Sequence, residues 1–325
     1  MRDKIIINKL EKVKIMRYSK PLTLAAIIVF LGIMNTSCGP AVIEGYQDKT
    51  GAQGDIEKKY TAFGKFTVKS KDFPVKESNF KNIRAWYPAD LETTTAKYPV
   101  VVFANGTGVP NTAYEEIFKH LASWGFIAIG NDDKNSWDGY SSDKTLGLLL
   151  AENDDVKSIF YQKVNLGQIG LSGHSQGGVG VVNAFTNQPN GKYFRSIFGA
   201  STTKYALAVS LKWPYDVSKI SIPYFTVAGT GSFDAGKSNE KDGGIAPLVS
   251  MVENYDKLPS GTLAIRARRK DTDHGDMLYK ADGYMTAWFF YTLLNDGLAG
   301  KAFTGNNPEI EKNSIWQDVA VKNLK

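Results

Sequence analysis

One fifteen-residue stretch, Gln168 to Val182, limits what this chain can fold into more than any other. It carries Gly173-His174-Ser175-Gln176-Gly177, a Gly-x-Ser-x-Gly pattern. The apolar run Ile169 to Ser172 reads as a strand before it, and Gln176 to Val182 reads as a helix of small residues after it. A serine in that setting sits on a strained strand-to-helix turn that lifts its hydroxyl above a sheet edge. Gly173 and Gly177 relieve crowding where the two backbones meet, and Gly178 lets the helix lie close to the sheet.

The surrounding chain supplies such a sheet. Tyr98 to Ala104 is a nearly continuous apolar run, as expected of a strand covered on both faces. Gly125 to Ile129, Ile197 to Ala200, Tyr224 to Ala228 and Leu263 to Ala267 follow the same pattern. Thr61 to Val68 and Ile83 to Tyr87 read as two strands of a hairpin or meander. Tyr114 to Trp124 reads as a helix with Ile117, Leu121 and Trp124 on one face, and Met277 to Leu294 as one long apolar-striped helix. Alternating apolar strands and helices imply an α/β fold, a mostly parallel central sheet with helices on both faces. No repeat or linker divides residues 61–305, which read as a single domain. Residues 39–60 read as a polar tether and 306–325 as a polar C-terminal tail.

A serine nucleophile needs a base, and in this strand–turn–helix context the order along the chain is serine, acid, histidine. Of the three histidines only His274 follows Ser175. His174 points away from its neighbour's hydroxyl, and His120 reads as a helix-surface or packing residue. The acid belongs after the Tyr224–Ala228 strand. There Gly229-Thr230-Gly231-Ser232-Phe233-Asp234-Ala235-Gly236 holds one carboxylate, Asp234. Asp242 is the alternative, while Asp271 and Asp273 read as structuring the histidine loop. A tetrahedral intermediate needs two donors. The backbone amide of Gln176 supplies one, and the glycine turn after Ala104 supplies the other, through Thr107 or, next, Gly106. Trp137 and Tyr140 read either as a substrate wall or as packing beneath a loop. Asp132-Asp133 and Asp154-Asp155 read as loop clusters or solvated surface, so neither a metal nor another cofactor is expected.

The leader has its own chemistry. Basic residues at 2, 4, 9, 12, 14, 17 and 20 precede the apolar run Pro21 to Met34, which ends at Asn35-Thr36-Ser37-Cys38. That is the order of an export signal. Cys38, the only cysteine, stands where a bacterial lipoprotein carries its lipid, with Asn35 in place of the usual aliphatic residue. Residues 1–38 therefore read as a leader, with either start at Met1 or Met16. The expected location is outside a bacterial cytoplasm, membrane-attached through lipidated Cys38 or else periplasmic or secreted. Residues 1–37 hold seven basic and two acidic side chains, so the remaining 32 basic and 31 acidic residues leave a net charge of +1. The chain's basicity lies in its leader and gives no reason to expect nucleic-acid binding.

Several segments resemble the α/β-hydrolase superfamily, and within it the cutinase-like polyester hydrolases and the platelet-activating-factor acetylhydrolase and chlorophyllase-like esterases. These are Ala85-Trp86-Tyr87-Pro88-Ala89, Pro99 to Phe103, Leu121-Ala122-Ser123-Trp124-Gly125-Phe126, Gly173 to Gly178, and Tyr284 to Phe303. The resemblance spans residues 60–305. It implies Ser175 as nucleophile, with Gln176 and Thr107 as oxyanion donors. An ungapped reading against the family places Ser232 where the acid belongs, and a two-residue insertion restores Asp234. The aromatic clamp common at Thr107 and the disulfides of cutinase-like enzymes are absent. The expected activity is hydrolysis of a small or polymeric carboxylic ester through an acyl-enzyme. A serine peptidase or amidase would use the same groups, and an inactive exported binding protein is the alternative from another class. Substrate identity and oligomeric state are not encoded in any of these patterns.

Overall fold

The computed structural model describes residues 42–237 and 243–324. After a first helix, α1 (Asp55–Thr61), come strands β1 (Val68–Pro74), β2 (Asn82–Pro88) and β3 (Tyr98–Ala104). Helix α2 (Glu115–Ser123), β4 (Ile127–Asn131), α3 (Tyr140–Asp154) and β5 (Val164–His174) follow, then α4 (Gln176–Asn187) and β6 (Phe194–Ala200). The chain continues through β7 (Tyr224–Gly229), α5 (Leu248–Lys257), β8 (Ala264–Arg269), α6 (Asp282–Leu294) and β9 (Trp316–Lys322). The nine strands form one sheet in the order β1-β2-β4-β3-β5-β6-β7-β8-β9. Strands β3 to β8 run parallel, while β1, β2 and β9 enter antiparallel. This is the mostly parallel sheet that the apolar runs predict, and it is that of an α/β-hydrolase.

Side chains along a strand alternate between faces, and β3 divides the core accordingly. Val101 and Phe103 pack with Ile117 and Phe118 of α2 and with Trp288 and Phe289 of α6. Val100, Val102 and Ala104 pack on the other face with Leu146 and Leu149 of α3 and with Val179 and Val182 of α4. Burying one such large apolar side chain contributes about 1.5–3 kcal/mol. Among the described residues no helix is long and apolar enough to cross a membrane.

The structure departs from the sequence reading at both ends. Residues 42–60 are packed rather than loose. Tyr46 and Tyr60 are buried. The Glu57 carboxylate accepts from Trp316 Nε1 and Asn313 Nδ2, both at 2.8 Å. Glu309 in turn accepts the amides of Ile56 at 2.7 Å and Glu57 at 2.9 Å. Residues 316–322 are not a tail but β9, which covers the edge of β8. The first strand lies at 68–74 instead of 61–68. The segment before it is held on the end of α2, where Gly64 N donates to Ser123 Oγ at 2.8 Å and Phe66 N to Ser123 O at 3.0 Å. The expected helix 277–294 is interrupted at Ala281, so that α6 begins at Asp282.

That interruption places Asp282 against His120, which is fully buried rather than at a helix surface. His120 Nδ1 lies 2.8 Å from Asp282 Oδ2, and Nε2 lies 2.9 Å from Ala62 O. Tyr46 donates to the same carboxylate at 2.5 Å. Acceptors near both nitrogens favour the protonated ring, although Trp124 Nε1 also approaches Nε2 at 3.2 Å. Burial pushes its pKa down, but Asp282 and the Ala62 carbonyl outweigh burial and raise it above the usual histidine value. A raised folded-state pKa gives stability that is present in full below the unfolded value of about 6.5 and is lost as pH rises through the raised value. Asp282→Asn is therefore expected to cost about 3–5 kcal/mol at pH 6. Thermal unfolding of both proteins from pH 6 to 9 checks this. The gap between them should narrow with pH, and a constant gap would contradict the assignment.

Candidate active site

The C-terminal ends of β3, β5, β7 and β8 converge on Ser175. It follows β5 directly, with φ 59° and ψ −119°, a strained backbone for a residue with a side chain. The turn closes because its glycines lack side chains. A Cβ on Gly173 would lie 2.3 Å from the Gly177 carbonyl oxygen, and one on Gly177 would lie 2.1 Å from that of Ala104. The Ser175 amide is fixed by the Ala200 carbonyl at 2.9 Å. The residue is half-buried, so its hydroxyl is reachable.

His274 Nε2 is 2.9 Å from Ser175 Oγ, and Nδ1 is 2.7 Å from Asp234 Oδ1. The carboxylate fixes the tautomer. Nδ1–H donates to Asp234 and leaves the Nε2 lone pair facing the serine hydroxyl. Asp234 is wholly buried, and its other oxygen accepts from Ser201 Oγ at 2.6 Å and from Gly229 N at 2.7 Å. Burial raises the carboxyl's pKa, but His274, the Ser201 hydroxyl and the Gly229 amide outweigh it and hold the group below the ordinary aspartate value. The pair is thus built to keep Asp234 anionic. Ser232 is exposed at the start of the one-turn helix that carries Asp234, and Asp242 lies outside the described residues. So does Cys38.

The amide of Gln176 opens α4, where the first N–H groups have no partner within the helix. Its side chain is held aside, Oε1 accepting from Ser136 N at 2.8 Å. In the glycine turn, Gly106 N donates to the Tyr114 hydroxyl at 3.2 Å, which occupies the alternative amide and leaves that of Thr107. The two aromatic candidates both have packing or hydrogen-bond partners. Tyr140 donates its hydroxyl to Glu77 in the β1–β2 connection at 2.6 Å, and Trp137 packs on the apolar cluster beneath α3 and α4. Phe233 is half-buried and edge-on to His274 at 5.0 Å between ring centroids.

Asp273 structures the histidine loop as expected, and three polar residues make further contacts around the site that no sequence pattern signals. Ser201 holds the acid, as described. His174 is buried and donates from Nε2 to the backbone carbonyl of His274 at 2.8 Å. Burial, then the proximity of His274, pushes its pKa down to about 3, so it is a neutral hydrogen-bond donor. Asp273 receives backbone amides from the acid loop. Each role depends on a backbone group or a side chain brought close by the fold.

Residues 60–186, which include the Ser175 turn, match the chlorophyllase family model. Among curated proteins none matches the chain. The sheet is that of an α/β-hydrolase, and over residues 60–186 the chain is similar to chlorophyllase, a family of α/β-hydrolase-like esterases.

Proposed function

We propose that the protein hydrolyses carboxylic esters by way of an acyl-serine. The observation that carries this reading is the unbroken chain from Ser175 Oγ through His274 to the buried Asp234. Ser175 attacks the ester carbonyl while His274 Nε2 takes its proton, and Asp234 stabilises the imidazolium that results. Negative charge on the carbonyl oxygen is met by the Gln176 and Thr107 amides. The alcohol leaves with the proton returned by His274. Water then attacks the acyl-serine with the same histidine as base, and the acid is released. No step calls for a cofactor. Phe233 supplies an apolar wall beside the base, which suits an ester with an apolar portion.

The test is turnover of nitrophenyl esters of increasing acyl length, with a fluorophosphonate label mapped by peptide mass. Ester turnover with the label on Ser175 supports the reading. Turnover that survives complete labelling of Ser175 overturns it.

We also propose export and lipid attachment at Cys38, on the strength of the basic, apolar leader that ends at this cysteine. Mass measurement of the membrane fraction from a bacterial host should find a diacylated N-terminal cysteine. Cleavage elsewhere with an unmodified thiol removes the lipid while leaving export in place.

A further inference from the structure

The residue before the histidine makes a set of contacts that a loop aspartate does not need for its own turn. Asp273 Oδ1 accepts from the amide of His274 at 2.9 Å, which is a local cap. The same oxygen also accepts from Asp234 N at 2.9 Å and Phe233 N at 3.0 Å, and Oδ2 shares the Phe233 amide at 3.1 Å. One carboxylate therefore caps two short helical turns at once, one carrying the acid and the other the base. These turns are about forty residues apart in sequence.

The backbones are shaped to allow it. Gly231 N donates to Thr272 O at 2.8 Å. A Cβ on Gly231 would lie 2.4 Å from Asp273 Cγ, and one on Gly229 would lie 2.2 Å from Thr272 O. Both positions need a bare backbone because the histidine loop rests directly on the acid loop.

Resting on the reading of Ser175, His274 and Asp234 given above, we propose that Asp273 is a positioning residue that sets the separation and angle of the Asp234–His274 pair. Its carboxylate is taken up by the backbone amides of Phe233, Asp234 and His274. It acts by holding the two loops in register. The arrangement also accounts for the longer acid loop. A one-turn helix at 232–235 carries Asp234 to its position, and Asp273 supplies the cap that so short a helix lacks within its own sequence.

Displacing one catalytic partner by about 1 Å costs on the order of 10²-fold in rate. Asp273→Ala is expected to lower kcat by about that factor with KM within about two-fold, because of the groups proposed to face substrate it holds only Phe233, and that through the backbone amide. Asp273→Asn keeps one oxygen that can take the place of Oδ1 but loses the charge. Since charge-assisted bonds are about twice as strong as neutral ones, its kcat should fall between those of wild type and the alanine variant. Gly231→Ala perturbs the same contact by crowding the Asp273 carboxylate while removing no polar group. It should lower kcat in the same way, and its effect should not add to that of Asp273→Ala.

Turnover is referred to active sites titrated with a phosphonate, at a temperature where every variant is folded by circular dichroism. Graded loss of kcat at constant KM, with Asn partly rescuing, supports the proposal. A melting temperature that falls while kcat per titrated site stays within two-fold overturns it and leaves Asp273 as a loop brace only. Ser175→Ala measured alongside keeps the two readings apart. If that variant is inactive while Asp273→Ala turns over normally, only the positioning role fails. If it remains active, the serine reading fails first.

Discussion

Ser175→Ala is expected to lower kcat by about 10⁶-fold, the size of effect seen when a serine or histidine is removed from such a constellation elsewhere. The reason is local. Alanine keeps the Cβ and hence the strained φ of 59°, so the turn, the helix and the two oxyanion amides stay in place. Only the nucleophile is lost. A residual rate of some 10³–10⁴ over water should remain, because charge stabilisation and substrate binding survive. KM should change little. Steady-state kinetics on the best nitrophenyl ester, with circular dichroism to confirm folding, decide the matter. A folded variant that retains a tenth of wild-type turnover would remove Ser175 from the chemistry.

Asp234→Asn should cost about 10⁴-fold in kcat, by a different route. Ser201 Oγ and Gly229 N both donate to one oxygen of this carboxylate. An asparagine would keep its carbonyl oxygen on that side to satisfy the two buried donors. Its amide nitrogen then faces His274 Nδ1 and donates to it. The ring is driven to the tautomer with hydrogen on Nε2, which donates to Ser175 and cannot accept its proton. The protein should remain folded with KM near that of wild type. Near-full turnover in a folded Asn variant would exclude Asp234 as the acid. Collapse of activity in Asp242→Asn alone would place the acid further along the loop.

These groups were legible in the sequence because each is tied to a local pattern. Glycines flank Ser175, Asp234 is the one carboxylate after an apolar strand, and His274 is the last histidine in the chain. Buried central strands were legible for a similar reason, since covering both faces demands a run of apolar residues. Edge strands make no such demand. β1 fully buries only Phe73 among lysines, a serine and an aspartate, and β9 fully buries only Trp316. Charged side chains on an edge are what keep it from pairing with another chain, and they also hide it from a search for apolar runs. The N-terminal segment was missed because Glu57 and Glu309 hold it through hydrogen bonds, which a hydropathy pattern does not register. Asp273, His174 and Ser201 act on backbone groups or on a side chain from a distant loop, and no spacing in the sequence encodes those encounters.

The packing of residues 42–60 bears on how far the protein can stray from an anchor. A free tether over residues 39–60 would give a leash of up to about 75 Å at full extension. With Val42 already hydrogen-bonded to Ala113, the slack between a lipid on Cys38 and the folded body shrinks to about 14 Å at most. A protein on so short a leash samples a thin layer beside the bilayer instead of a hemisphere above it. If Cys38 carries lipid as proposed, the protein's encounters would be with what lies on or close to the surface, and a soluble ester would have to diffuse to that layer. Swapping residues 39–41 for a long flexible linker would then widen the territory the active site patrols without altering its chemistry.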